Sequence, residues 1–341
     1  MSTPAHIAVI GAGLAGLSCA AALTQAGLRV TVFDKSGGVS GRASTRRGDA
    51  WQCDHGAQYF TARDALFVAE VERWQQAGVA ALWEPQLVQL GAEGTTARKA
   101  TAARYVGTPR MTAPATWMAA QLAVHTGATV TSLQREAGRW RLQVEQEKEL
   151  TSLVDTLFDA VVMAVPAPQA AVLLAGPAPA LANIAGGVAM QACWAVMLRY
   201  DAPLALGFDA AFVEQGPLSW IARDSAKPGR PAGETWLLHA SAAWSDAHVE
   251  LTAEQATAEL VAAFCALGGR APGGAEMASA HRWRYARTAP ARNDVCVLDD
   301  ADAIGMCGDW LNGGTVEAAW ISGHALALRL ATSYQGSSAP L

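Results

Sequence analysis

Apolar and polar positions along this chain fall into blocks whose period changes, and the first block is the sharpest. Residues 6–10 form a short, mostly apolar run that ends at Gly11, residues 14–26 are Ala/Leu-rich and free of proline, and residues 29–33 (Arg-Val-Thr-Val-Phe) form a second strand-like run ending at Asp34. Short continuous apolar runs read as buried strands, and a longer Ala/Leu run reads as a helix. The order is therefore strand, tight turn, helix, strand. Such a β-α-β unit predicts a parallel sheet covered by helices, because a parallel crossover needs a helix to bring the chain back.

Residues 36–50 are rich in Gly, Ser and Arg and read as a long functional loop. Residues 64–77 predict a helix with Leu66, Phe67, Val71 and Trp74 close to one face. Short strands with turns at Gly91 and Gly94 are expected over 79–110, and a helix over 115–126. Strands around a hairpin follow at 128–133 and 140–144. The segment 159–165, continuously apolar after Asp159, reads as one more buried strand. Tryptophan-bearing strands are expected at 193–200, 218–223 and 235–240, separated by turns at Pro217, Pro228 and Gly229. A helix over 252–267, a strand over 304–307, a closing helix over 316–332 and a disordered tail at 336–341 complete the pattern.

These elements predict an α/β protein, a Rossmann-type domain with an inserted α+β substrate domain. The first would take residues 1–78 with about 127–175 and 290–335, the second about 79–126 and 176–289. A length of 341 residues suits two such units. With 51% hydrophobic residues and a formal net charge of −5, no run of Lys and Arg is long enough to neutralise several phosphates, which argues against nucleic acid. The uncharged stretch 7–28 is interrupted by glycines and has no Lys or Arg before it; 160–190 is broken by Pro166, Pro168, Pro177 and Pro179. Neither reads as a leader or a membrane span. Six scattered cysteines (Cys19, Cys53, Cys193, Cys265, Cys296, Cys307) form no C-x-x-C pair and no metal spacing, so buried free thiols in a cytoplasmic protein, a monomer or dimer without metal, are expected.

Gly11-Ala-Gly13-Leu14-Ala15-Gly16 stands between the first strand and the first helix, the context in which a G-x-G-x-x-G run binds a dinucleotide. Gly11 permits the turn, Gly13 admits a pyrophosphate, and Gly16 lets the helix pack closely. Asp34, ending the second strand, can accept hydrogen bonds from a ribose. The following loop carries Lys35, Gly41, Arg42 and Ala43, with Ser40 where a Gly-Gly-Arg triplet has its first glycine. Asp54-His-Gly56-Ala57-Gln58-Tyr59-Phe60 comes next. Near the other end, a short strand runs into Gly308-Asp309 and then, past Gly313-Gly314, into a helix opened by Thr315 and Val316. That order lets Asp309 meet a ribityl chain or phosphate, and the helix N-terminus stabilise an anionic reduced ring.

Gly41-Arg42, the Asp54 to Phe60 segment and the Gly308-Asp309 segment resemble the flavin-contacting stretches of the amine-oxidase superfamily. Residues 54–63, 164–169, 236–245, 281–287 and 307–323 together resemble its bacterial renalase-like branch over nearly the whole length. One departure falls beside the flavin: relatives commonly read GRVEGAW where this chain has Gly314-Thr315-Val-Glu-Ala318-Ala-Trp. The resemblance implies non-covalent FAD held by the residues named above, with Val130 completing the set. It also implies a reaction in which isomeric dihydropyridine forms of NAD(P)H, reduced at ring position 2 or 6, pass a hydride to flavin N5 while O2 becomes H2O2. Such chemistry asks little of side chains beyond stacking rings and excluding water. Trp220, Trp236, His239, Trp244, His281, Trp283 and Tyr285 are the candidates for an aromatic substrate slot.

Three other readings compete. An oxidase or desaturase of an amine or apolar molecule is the nearest, although the lone lysine between residues 190 and 310, Lys227, lies in a Pro/Gly turn and offers no obvious lysine beside flavin N5. A non-catalytic flavin or nucleotide sensor would have a closed pocket and no turnover. An NAD-dependent dehydrogenase fails to explain the Gly-Asp-helix segment.

Overall fold

The computed structural model describes residues 3–99, 101–146, 156–273, 276–288 and 293–335. Its first layer is a six-stranded sheet in the order Val297–Asp299, Ile304–Met306, Ala160–Met163, His6–Ile10, Arg29–Asp34, Ala123–Thr126. The pairings are parallel except for the first strand at the edge. His6–Ile10 runs down the middle with Val9 between Val162 and Val32, and all five of its residues are buried. Burial on both faces explains why this strand is a run of apolar residues after His6 rather than alternating, with the His6 ring satisfied by the Thr31 hydroxyl at 2.8 Å.

Helix α1 (Leu14–Gln25) follows the first strand, and helix α2 (Ala65–Gln76) starts at Asp64, whose carboxylate accepts from the amides of Leu66 and Phe67. Phe67, Val71 and Trp74 are buried on α2, whereas Leu66 is 57% exposed and lies off the face assigned to it. Helix α3 (Ala113–Ala119) is shorter than its composition predicts. Residues 123–126, expected in that helix and in the second domain, instead pair with Arg29–Asp34 as an edge strand, Thr31 opposite Ala123. The β-branched Val124 and Thr126 suit the strand, and the open sheet edge overrides helix propensity.

Helices α4 (Ala167–Leu174) and α5 (Pro179–Gly186) occupy the proline-rich region, each with its proline in the first turn, where no intrahelical N–H is required. Part of the loop read over 36–50 is ordered as the hairpin Thr45–Gly48 with Trp51–Asp54. The strands Ala128–Glu136 and Arg139–Gln146 form a small sheet with Leu157–Phe158. The second large sheet has seven strands: Met277–Thr288, Met190–Tyr200, Glu234–Ala240, Leu218–Arg223, Ala210–Val213, Leu87–Gly91 and Gly94–Ala97. Helices α6 (Ala242–Ala247) and α7 (Ala253–Ala266) belong to the same part of the chain, and α7 opens with a Thr252/Gln255 capping box. Met277–Thr288 was not legible as a strand because its charged and aromatic residues obscure the alternation.

Helix α8 (Val316–Gln335) closes the fold by packing on α1. Ser18 Oγ donates to the carbonyl of Trp320 at 2.8 Å, and a Cβ added to Gly323 would stand 1.9 Å from the carbonyl oxygen of Ala15. The two backbones touch there, so only glycine fits. Among the described residues no disulfide forms; Cys19, Cys53, Cys193 and Cys307 are buried, while Cys296 is half-buried and Cys265, contrary to expectation, exposed. No described helix is long and apolar enough to cross a membrane, and the tail at 336–341 lies outside the described residues.

Gly323→Val should push α8 off α1 and destabilise the protein by roughly 1–3 kcal/mol, the usual range for overpacking. Thermal melting checks this against Gly186→Ala, where the nearest atom to an added Cβ is 4.0 Å away. An unchanged Tm in Gly323→Val would show that the helix contact yields freely.

Candidate active site

The carboxyl ends of the parallel strands, at Ile10, Phe33, Ala164 and Gly308, border a cavity of about 2250 Å³ whose far wall is the seven-stranded sheet. Open α/β sheets bind ligands at this end. Drug-sized ligands need roughly 300–1,000 Å³, so the cavity has room for a dinucleotide and a further ligand.

The residues on the sheet side fit a dinucleotide. Gly11 adopts φ +109°, and a Cβ there would meet the carbonyl oxygen of Ala164 at 2.4 Å; a Cβ on Gly16 would meet that of Gly11 at 1.9 Å. These two are set by packing. Gly13 is different, because a Cβ there would meet nothing within 4 Å although the residue borders the cavity. As N-cap of α1, Gly13 supplies no side-chain cap, so the helix end offers amides to an anion. Leu14 and Ala15 border the cavity beside it. Asp34 accepts from the amides of Ala12 at 2.7 Å and Ser36 at 2.8 Å, which fixes its carboxylate where the second strand ends. Lys35 lies next to it, and Val130 reaches the same cavity from the small sheet.

Arg42 and Asp309, 267 residues apart, form a two-pronged ion pair in which Nη1 is 3.1 Å from Oδ2 and Nη2 pairs with Oδ1. Arg42 Nη1 also donates to the carbonyl of Ala286 at 3.1 Å. This fork ties the loop after the second strand to the opening of α8. Gly41, Ala43, Ala57, Gln58 and Tyr59 line the cavity on one side of it, Gly308, Thr315 and Val316 on the other. Thr315 Oγ1 accepts from the amide of Ala318 at 3.0 Å. The threonine that departs from the family pattern therefore caps α8, and the positive end of that helix borders the cavity.

Lys227, read from sequence as part of a turn, is fully buried beneath this floor. Its Nζ lies 2.7 Å from Asp224, 3.2 Å from Asp54 and 3.3 Å from Gln58 Oε1, and Arg230 donates to Asp54 at 2.5 Å. Burial opposes ionisation of Asp54, but Lys227 and Arg230 outweigh it and hold the carboxyl well below the usual range. Gln58 in turn donates to the carbonyls of Asp54 and Gly56. The cluster locks the Asp54 to Gln58 turn from below, and Lys227 does not reach the cavity.

Of the candidates for the substrate slot, Trp220, His239, His281, Trp283 and Tyr285 line the cavity. Trp236 and Trp244 do not. Trp236 lies an odd number of positions from His239 on one strand and so faces the opposite side, fully buried against Phe208 and Phe264 with Nε1 donating to Glu234. Trp244 sits on α6, stacked on His248. His55, not singled out within its motif, is the hub of the wall. Its carbonyl accepts from Trp283 Nε1 at 2.8 Å and His239 Nε2 at 3.2 Å, and its ring stacks on Trp283 and meets His281 edge-on. Burial pushes His55 down to about 3 and His239 to about 4, and lowers His281 as well. All three are neutral near pH 7. Burial also raises the Cys193 thiol to about 12, which leaves it inert at this wall.

The sequence pattern of flavin-containing amine oxidoreductases matches residues 84–331, and that of an NAD(P)-binding Rossmann-like domain matches residues 9–68. The chain belongs to the flavin-containing amine oxidoreductase family. FAD is its cofactor, and its fold, a Rossmann-like unit joined to an amine-oxidase domain, is the mixed α/β fold of that family. L-amino acid oxidase Cdc18 of Crotalus durissus cumanensis is 46% identical over 55 residues, 16% of this chain and 11% of that protein. The tRNA 5-methylaminomethyl-2-thiouridine biosynthesis bifunctional protein MnmC of Magnetococcus marinus is 34% identical over 136 residues, 30% of this chain and 20% of that protein. The chain thus spans a small part of the length of these curated relatives. Among solved structures, cyclohexylamine oxidase from Brevibacterium oxydans IH-35A superimposes with a TM-score of 0.74 at 11% identity, covering 98% of this chain and 100% of that one. An oxidoreductase from Methanosarcina mazei gives 0.66 at 13% identity, covering 94% and 99%. At such identities the likeness is one of fold.

This flavoprotein has an unevenly charged cavity. Among the described residues eleven Lys and Arg residues line it against two carboxylates, Asp34 and Asp309. Both acids are engaged, Asp34 by backbone amides and Asp309 by Arg42. No group of three or more described His, Cys, Asp or Glu side chains is placed to hold a metal.

Asp309→Ala leaves Arg42 without its carboxylate and should weaken FAD retention roughly tenfold or more. The ratio of flavin to protein absorbance after gel filtration reads this; an unchanged ratio removes that role from Asp309. A second expectation concerns pH. Buried His6, His55 and His239 have values lowered from 6.5 to about 4, 3 and 4. The unfolded chain therefore binds more protons than the folded one below pH 6.5, so their contribution is full above that pH and is lost as pH falls towards 4. Melting curves between pH 7.5 and 4 should show Tm falling across this window, with a shallower fall in His239→Gln. A flat profile would contradict the burial argument.

Proposed function

We propose that this flavoprotein is a renalase-like oxidase of NAD(P)H isomers reduced at ring position 2 or 6, releasing NAD(P)+ and H2O2. The balance is one dihydropyridine, one O2 and one proton in; one pyridinium and one H2O2 out. When bound, FAD supplies the two-electron acceptor that O2 re-oxidises. The charge of the cavity carries the reading: a lining rich in Arg and Lys, with both carboxylates already engaged, attracts a phosphate-bearing substrate and repels a protonated amine.

The chain's own residues serve this reaction by shape and neutrality. Trp220, Trp283 and Tyr285 give flat apolar faces for a pyridine ring, and neutral His55, His239 and His281 add polarity without charge. Loss of a hydride from a dihydropyridine needs no general base, and Lys227 is buried below the floor against Asp54 and Asp224 rather than free to serve as one. Amine oxidation is the competing reading, since the cyclohexylamine oxidase neighbour is named for an amine.

Anaerobic stopped-flow absorbance of the FAD-loaded protein separates them. Rapid bleaching by borohydride-generated NADH isomers, with ordinary 1,4-NADH slow, and H2O2 released when oxygen is admitted, is the expected result. Bleaching by amines alone would assign the protein to amine oxidation. No reduction by any donor would point to a flavin-bound sensor.

A further inference from the structure

The cavity continues past the histidines to an aromatic corner made by Tyr59, Trp220 and Phe212. Ring centroids of Tyr59 and Trp220 are 5.7 Å apart, and Phe212 meets Trp220 edge to face at 4.8 Å. Two arginines lie on this corner. The guanidinium of Arg98 is 4.5 Å from the centre of the Phe212 ring, and that of Arg104 is 5.3 Å from Tyr59. All five residues line the cavity.

Neither arginine meets a carboxylate among the described residues. Arg98 donates to the neutral amide of Gln89 at 3.1 Å, and Arg104 Nε is buried without a hydrogen-bond partner. An aromatic face can hold a guanidinium in place while its edge stays free to donate. An arginine held in this way is a preset fork for phosphate oxygens. The corner shares Tyr59 with the residues that fit FAD, but its two arginines are not among them. Arg98 and Arg104 lie between the strands Gly94–Ala97 and Tyr105–Gly107, and Trp220 and Phe212 belong to the seven-stranded sheet. The FAD-fitting residues cluster around Gly13, Arg42 and Asp309.

We infer that Arg98 and Arg104 form a second anion subsite in this cavity, one that takes a phosphate of the nucleotide substrate while its pyridine ring lies toward FAD. Naming the ligand a pyridine nucleotide rests on the proposed function; the affinity for a phosphate at this corner does not.

The FAD-loaded protein and its Arg98→Gln, Arg104→Gln and Arg104→Lys variants are titrated calorimetrically with ADP-ribose, which has the diphosphate but no pyridine. KM and kcat are measured for the NADH isomers and for a phosphate-free N-alkyl dihydropyridine. Each Gln variant should keep its flavin, bind ADP-ribose roughly tenfold more weakly and raise KM for the isomers by a similar factor. Their kcat should stay unchanged, as should KM for the phosphate-free probe, and Arg104→Lys should recover part of the loss. Higher ionic strength should narrow the gap between wild type and variants. ADP-ribose that does not bind wild type, binding equal in wild type and both Gln variants, or equal losses for the phosphate-free probe would overturn the subsite. If no dihydropyridine reduces the flavin, the proposed function fails while the ADP-ribose titration still decides the subsite. Arg98, exposed at the rim, provides the answer should Arg104→Gln fail to fold.

Discussion

The contact of Gly323 with the carbonyl of Ala15 is the constraint from which the site follows. Helix α1 begins at the glycine-rich turn and α8 begins beside Asp309, so bringing their backbones into touch brings two cofactor-facing segments together from opposite ends of the chain. Asp309 can then meet Arg42, and the two helix N-termini border one cavity. Aligned helix ends would normally repel each other's partial positive charge, and an anionic cofactor between them turns that cost into binding. A side chain at position 323 would separate the helices and loosen the ion pair with them.

Below the cavity a second constraint acts on the floor. Asp54, Asp224, Lys227 and Arg230 form a buried group of two acids and two bases, nearly sealed from solvent. Such a cluster is a poor source of stability compared with apolar packing, but removing any one member would strand an uncompensated charge. Its geometry fixes the turn from Asp54 to Gln58 against the strand pair Leu218–Arg223 and Glu234–Ala240. The floor of the cofactor layer is thereby keyed to the sheet that supplies the opposite wall.

The β-α-β unit, the buried strand around residue 162 and the closing helix were legible because each is rich in apolar residues, and glycines mark the turns of the first and the start of the last. Ala123–Thr126 was not, since four residues of mixed composition become a strand only by completing the edge beside Arg29–Asp34. The burial of Lys227 was hidden for a related reason: it does lie in a Pro/Gly turn, but the carboxylates that enclose it, Asp54 above all, come together only in the fold. Trp236 and His239 show the limit of residue type as a guide, because one sits in the core and the other on the cavity by strand parity alone.

Charge was the property most hidden in the chain. Along the sequence no basic run stands out and the formal net charge is −5, yet folding collects arginines from residues 42–47, 98–110 and 282–287 around one cavity. Part of this set is spoken for, since Arg42 pairs with Asp309 and Arg282 and Arg284 with Glu250. A diphosphate cofactor neutralises further charge near the glycine turn. What remains includes Arg98 and Arg104 at the aromatic corner. An acidic protein with a basic cavity keeps its surface repulsive to polyanions while concentrating small ones inside. That division suits a site whose cofactor is a phosphate-bearing dinucleotide and whose proposed substrate is another.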